Sequence, residues 1–198
     1  MTATDRTNLR DKVRIAYSAA AEMPQEKHAF PVGRAFAESV GYTAELLDDL
    51  PAAASDAFAG VSNVSVSAEI PSGATILDLG CGAGLDALIA ARRVGPSGKV
   101  IAVDFSTAML GRARQAVVEA GASNVELREA GAEQLPIADE EIDVAMVNGI
   151  FNLNSSRDSI FRELARVIRR GGTVFAAELI LSSPLPPEAR ASESNWFA

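Results

Sequence analysis

Apolar and polar positions follow two rhythms along the chain. Up to about residue 60 the rhythm is helical. Leu9, Val13, Ala16/Tyr17 and Ala20 recur at three-to-four spacing, which predicts a helix over 7–22 stopped by Pro24. Short helices are expected at 33–40, 43–50 and 52–59, punctuated by Gly41, Pro51 and Gly60. Their apolar positions, among them Phe36, Leu46, Leu47 and Phe58, suggest a small helical layer packed on something larger. From Val61 to Ile70 valine and serine alternate, which fits a short strand or an extended linker before the turn Pro71-Ser72-Gly73.

Beyond that turn, apolar strand-like runs alternate with amphipathic helices. Strands are predicted at 74–79, 99–104, 124–129, 142–148 and 173–180. Helices are predicted at 85–94, 107–120 and 157–169, with Ser106 and Ser155 or Ser156 as caps and Gly171-Gly172 ending the last. This alternation implies an α/β fold, a doubly wound, Rossmann-like parallel sheet with right-handed crossovers. The expected strand order is 3-2-1-4-5, with a ligand site where the order reverses, at the carboxyl ends of strands one and four. The chain therefore divides into a helical cap (1–70), a ligand-binding core (71–181) and a tail (182–198).

Chemistry concentrates at the end of the first strand. Ile76-Leu-Asp-Leu-Gly-Cys-Gly-Ala-Gly84 joins a buried strand to a glycine-rich turn, and a helix follows whose free N–H groups face the turn. Asp104 ends the next strand about 20 residues on, where a carboxylate can accept both hydroxyls of a ribose. The glycines fall at 80, 82 and 84, and Leu85 stands where a nicotinamide-dinucleotide fingerprint has its third glycine, which argues against a nicotinamide-dependent oxidoreductase.

The set Asp78-Leu-Gly-Cys-Gly-Ala-Gly84, Val103-Asp104, Ala132-Glu-Gln-Leu-Pro136, Val147-Asn148 and Val167-Ile-Arg-Arg-Gly-Gly172 resembles the class I S-adenosylmethionine-dependent methyltransferases. It is most similar to their arsenite methyltransferase and quinone C-methyltransferase branch. Phe30-Pro-Val-Gly33, Gly41-Tyr42 and Phe58-Ala-Gly-Val61 resemble the segment that precedes the core in arsenite-methyltransferase-like proteins. The resemblance implies methyl transfer to a small-molecule acceptor, with S-adenosyl-L-methionine as donor and S-adenosyl-L-homocysteine as product. It implies that Asp78 holds the turn and reaches the methionine amino group through water. Gly80, Cys81, Gly82 and Gly84 would border the methionine and ribose, and Asp104 would take the ribose hydroxyls. Phe105 would pack on the adenine, Ala132 and Glu133 would meet its edge, and Asn148 would offer backbone near the amino group. At Gly131 the family often carries an acid for the adenine amine, so that contact is missing here. Where arsenite methyltransferases have a cysteine after the strand-four asparagine, this chain has Gly149, which excludes arsenic capture by that thiol route.

Weak candidates for a catalytic group are His28, Tyr17, Tyr42 and Glu178. A non-catalytic module with the same fold stays open as the alternative. The family fold normally adds a helix and an antiparallel strand pair after strand five. The stretch from Leu181 to Ala198, broken by Pro184, Pro186 and Pro187, is too short for these, so strands six and seven are expected to be absent. That suggests a fragment, or a strand-five edge covered by Trp196-Phe197 or paired in a homodimer.

Composition narrows the partners. The net charge of −8 disfavours nucleic acid and anionic membranes, and the arginines at 162, 166, 169 and 170 fit a solvated helix face. One cysteine and one histidine leave no disulfide and no thiolate or histidine-rich metal site. With no signal-like or membrane-spanning apolar run, a cytoplasmic location is the default expectation.

Overall fold

The computed structural model describes residues 3–182. Trp196 and Phe197 lie outside the described residues. The elements run α1 (Ala3–Glu22), α2 (Arg34–Ser39), α3 (Ala44–Asp48), α4 (Ala52–Ser55), α5 (Val64–Ser67), β1 (Thr75–Leu79), α6 (Leu85–Val94), β2 (Lys99–Asp104), α7 (Thr107–Glu119), β3 (Val125–Glu129), β4 (Ile142–Asn148), α8 (Arg157–Val167) and β5 (Ile168–Ala177). The sheet order is β3-β2-β1-β4-β5 and every pairing is parallel. The fold is therefore the expected Rossmann-like one.

Strand alternation sends side chains to two cores. Ile76, Val100 and Met146 pack with Ala87 and Ala90 of α6 on one face. Leu77, Ile101 and Val147 pack with Ile160 and Leu164 of α8 on the other. The central strand β1 is buried on both faces from Ile76 to Leu79, which is why it reads as an unbroken apolar run interrupted only by Asp78. The amino-terminal helices form two further clusters on the core. Tyr42, Leu47 and Phe58 sit against Leu85 and Leu88 of α6, and Ala20, Phe30 and Ala57 sit against Ala83 and Met109. The hydroxyl of Ser106 caps α7 by accepting from Met109 N at 3.3 Å, as its position predicts.

Two stretches differ from the pattern. The alternating 61–70 segment is neither strand nor linker. It makes the one-turn α5, because Val64 and Ser65 turn inward together against β4 and α6. Helix α8 ends at Val167, ahead of the glycine pair, and β5 starts at once. Gly171 and Gly172 instead lie in a bulge, where Ile142 faces Ile168 but Val144 already faces Thr173. A Cβ on Gly172 would stand 2.5 Å from Ile168 Cγ2 and 2.8 Å from Asp143 O, so no side chain fits there.

The arginine cluster is not simply a solvated face. Arg166 donates to Ile137 O, Leu135 O, Asp139 Oδ1 and both oxygens of Glu163, and so ties the loop between β3 and β4 to α8. Arg169 pairs with Asp143 at 2.5 Å. The outer edge of β5 has no strand partner among the described residues. No described helix is long and apolar enough to cross a membrane.

Candidate active site

At the carboxyl ends of β1, β2 and β4 the wall opens into a cavity of about 310 Å³. That lies at the small end of the range for pockets that take small molecules. The strand order reverses here, between β1 and β4, so the loops after these two strands diverge and leave a crevice.

The floor is the turn from Gly80 to Gly84. All three of its glycines have positive φ (76°, 52° and 89°), which an L side chain rarely adopts. They do different things with the space. Around Gly82 the nearest atom to a Cβ would be Met109 Sδ at 3.9 Å, so its backbone faces the cavity unobstructed. A Cβ on Gly80 would overlap Ile150, and one on Gly84 would stand 3.3 Å from Ala113 of α7. Thus Gly80 admits a neighbouring side chain, and Gly84, which is not on the cavity wall, admits a helix.

Three buried carboxylates surround this turn. Asp104 Oδ2 accepts from Gly82 N at 2.9 Å and Oδ1 from Ser106 N at 2.8 Å, so the side chain spans two loops. Burial pushes its pKa up against the opposing pull of the Ser106, Gly82 and Phe105 N–H groups. Asp78 accepts from Ala87 N in the first turn of α6, but its Oδ2 is buried with no partner among the described residues. Burial first, then the charges of Asp86 and Asp104, raise the Asp78 pKa well above the usual carboxylate range. Asp86 is satisfied. Tyr42 Oη donates to its Oδ1 at 2.6 Å, Asn148 Nδ2 to its Oδ2 at 2.9 Å, and Ser65 N also reaches Oδ1.

Asn148, at the end of β4, is committed on its other side too. Its Oδ1 accepts from Val61 N at 2.8 Å and Ser62 N at 3.1 Å, and Nδ2 also donates to Ser62 O. Asn148 and Asp86 therefore clasp the loop before α5, the same loop that brings Phe58 to Gly60 onto the cavity wall. This use of the Asn148 side chain was not visible in the motif, because its partners are backbone groups of Val61 and Ser62 and the side chain of Asp86, all more than 60 residues earlier.

The remaining predicted residues separate clearly. Phe105, Ala132 and Glu133 line the cavity. Arg10 of α1, which the pattern did not single out, lies over the Phe105 ring with its guanidinium carbon 5.9 Å from the centroid. Cys81 borders the cavity, but its thiol points into the β1–α6 core, 3.8 Å from Gly82 O, and burial keeps it protonated. Tyr17 faces the cavity and stacks on Phe30 at 4.5 Å. Burial, with the charges of Asp104 and Glu178 behind it, raises its phenol pKa, so it can donate a hydrogen bond but is not a base.

His28 and Glu178 are not on the wall. The His28 ring sits 2.9 Å from Met23 O, and Glu178 accepts from Phe151 N at 2.6 Å and Asn152 N at 3.3 Å, which fixes the loop after β4. Tyr42 is buried beneath the clasp, away from the cavity. At Gly149 a Cβ would stand 3.1 Å from Val61 Cγ1 in a backbone with φ of 76°, so Val61 crowds the position of the absent thiol. No group of three or more metal-ligating side chains is assembled among the described residues.

The family model described as a methyltransferase domain matches residues 70–197. The chain belongs to that family. It is 37% identical over 155 residues to an arsenite methyltransferase of Halobacterium salinarum, covering 77% of this chain and 39% of that protein. It is 36% identical over 120 residues to the ubiquinone/menaquinone biosynthesis C-methyltransferase UbiE of Hahella chejuensis, covering 60% and 47%. Among solved structures, an S-adenosylmethionine-dependent methyltransferase from Aquifex aeolicus superposes with a TM-score of 0.54 at 27% identity, over 61% of this chain and 65% of that one. An arsenic(III) S-adenosylmethionine methyltransferase from Chlamydomonas reinhardtii superposes with a TM-score of 0.61 at 26% identity, over 85% and 57%. The chain spans less than half the length of these curated relatives.

Proposed function

We propose that this methyltransferase-family chain binds S-adenosylmethionine along the Gly80–Gly84 turn and belongs to an enzyme that methylates a small, largely apolar molecule. The observation that carries the reading is the juxtaposition at the turn. An unobstructed Gly82, a strand-end carboxylate at Asp104 and an orphaned buried oxygen on Asp78 border one cavity.

The residues fit that donor. Gly82 lets a nucleoside lie against the backbone. Asp104 has acceptor capacity beyond its two backbone N–H groups, which suits ribose hydroxyls. Asp78 offers the unpaired Oδ2 to a cationic amino group, directly or through a water, and Phe105 offers an apolar face to the base. Backbone at Asn148 borders the same end. When bound, the donor supplies a methyl group already activated by its sulfonium. The protein's own task is then to orient the acceptor and exclude water. The wall from α1 and the loop after α4 serves that end with Leu9, Val13, Ala57 and Phe58. Tyr17, protonated at neutral pH, can donate to an acceptor oxygen. The cavity carries Asp78, Asp86, Asp104 and Glu133 against Arg10, which disfavours an anionic acceptor.

Isothermal calorimetry with S-adenosylhomocysteine and NAD tests the reading. The first should bind and the second should not. Asp104→Ala should weaken S-adenosylhomocysteine by about 1.5–3 kcal/mol, the scale of lost charged hydrogen bonds. Equal affinity for NAD, or an unchanged affinity in the variant, would overturn the assignment.

A further inference from the structure

We propose that the Tyr42 hydroxyl positions the acceptor wall of the cavity through Asp86 and Asn148, and that occupation of the donor turn tightens this wall before an acceptor enters. This rests on the cofactor reading above and goes further by naming a positioning residue outside the cavity and an order of binding.

The hydrogen-bonding capacity of the Asn148 side chain is fully used. Its Oδ1 accepts from Val61 N and Ser62 N, and its Nδ2 donates to Ser62 O at 2.7 Å and to Asp86 Oδ2 at 2.9 Å. The amide therefore has one orientation. Asp86 is in turn aimed by Tyr42, whose Oη donates to Oδ1 at 2.6 Å and also lies 3.1 Å from Ser62 O. A buried carboxylate that loses a donor re-forms its remaining hydrogen bonds around the gap, so the phenol decides how Asp86 meets Asn148. The wall rests directly on this amide. A Cβ on Gly60 would stand 2.5 Å from Asn148 Nδ2 and 2.9 Å from Phe58 Cζ. Phe58 and Gly60, which border the cavity, are thus packed against Asn148 with no space to spare.

The donor turn reaches the same carboxylate from the other side. Asp78 accepts from Ala87 N, the residue next to Asp86 in the first turn of α6. An amino group drawn to the orphaned Oδ2 of Asp78 bears on that turn, and through Asp86 on Asn148, Val61 and Ser62. The wall is then complete only with the donor in place, so the donor binds first and the acceptor second. Tyr42 touches neither ligand. Its hydroxyl keeps the linkage taut.

The test is amide hydrogen exchange at Val61 and Ser62, read by nuclear magnetic resonance on the full chain with and without saturating S-adenosylhomocysteine. In the wild type the ligand should slow both amides by at least about fivefold, the lower end of a typical coupling between two sites. Tyr42→Phe removes only the hydroxyl and should still bind the ligand by calorimetry, but the slowing should shrink to within about twofold of none. A hydroxyl with a purely structural role would quicken exchange equally in the free and bound protein. The bound-to-free ratio of the variant would then keep its wild-type value, and that result would overturn the proposal. A wild type that binds the ligand without slowing these amides would overturn it too, and would leave the cofactor reading intact. A wild type that does not bind the ligand would overturn both.

Discussion

Asp78 is the last polar group on a strand otherwise closed on both faces, with one buried oxygen unpartnered. Desolvation, Asp86 and Asp104 all raise its pKa above the unfolded value of about 4. An acid shifted upward holds its proton more tightly when folded. Its contribution to stability is full below pH about 4 and is lost as pH rises through the raised value. The unliganded protein should therefore lose stability as pH rises from about 4 through the raised value, and Asp78→Asn should flatten that fall. Asp104, shifted in the same direction, leaves a residual slope. Thermal unfolding across that pH range decides it, and a variant with the wild-type slope would remove Asp78 from the account. A cationic ligand reverses the balance by favouring the ionised carboxylate. Binding should then release a proton, and the calorimetric enthalpy should vary with the ionisation heat of the buffer.

Among the elements, the loop between β3 and β4 is irregular yet ordered, and Arg166 of α8 is the reason. Five hydrogen bonds converge on one guanidinium. Arg166→Ala should lower the unfolding temperature by roughly 4–8 °C, the equivalent of about 2 kcal/mol in a chain of this size. A shift of under one degree would mean that the loop is held by Leu135 and Ile137 alone. The sequence disclosed this architecture unevenly. The α6, β2 and β4 spans were readable to the residue, because apolar runs there end on a glycine or an acid. The sheet order followed from alternation. At β5 the pattern misled, since Gly171-Gly172 resembles a helix stop but serves a bulge that only the close approach of Asp143 O explains. The valine–serine alternation at 61–67 had the period of a strand, but tertiary contacts with α6 prevail over it. At the site, the glycines and Asp104 were legible because backbone geometry demands them. Arg10 and the work of the Asn148 side chain were not, since both depend on contacts between distant parts of the chain.

At the scale of the whole molecule, the amino-terminal helices and the sheet are joined through polar groups as well as apolar ones. Tyr42, Ser62, Ser65, Asp86 and Asn148 form a single hydrogen-bonded set across the junction. Asn148→Ala should free the Val61 and Ser62 amides and leave Asp86 short of a donor, at a cost of about 2–3 kcal/mol. Hydrogen exchange should quicken at residues 58–65 while β1 and β2 stay protected. Uniform loosening of the sheet would show that Asn148 supports the core instead. Asp86 belongs by sequence to α6, yet Tyr42 and Ser65, two of the three groups that hold it, belong to the segment ahead of the sheet. A chimera spliced at the Pro71 turn, with its front half taken from a relative that lacks these donors, would strand a carboxylate in the interior. The two halves are therefore a matched pair, and changes in one constrain what the other can become.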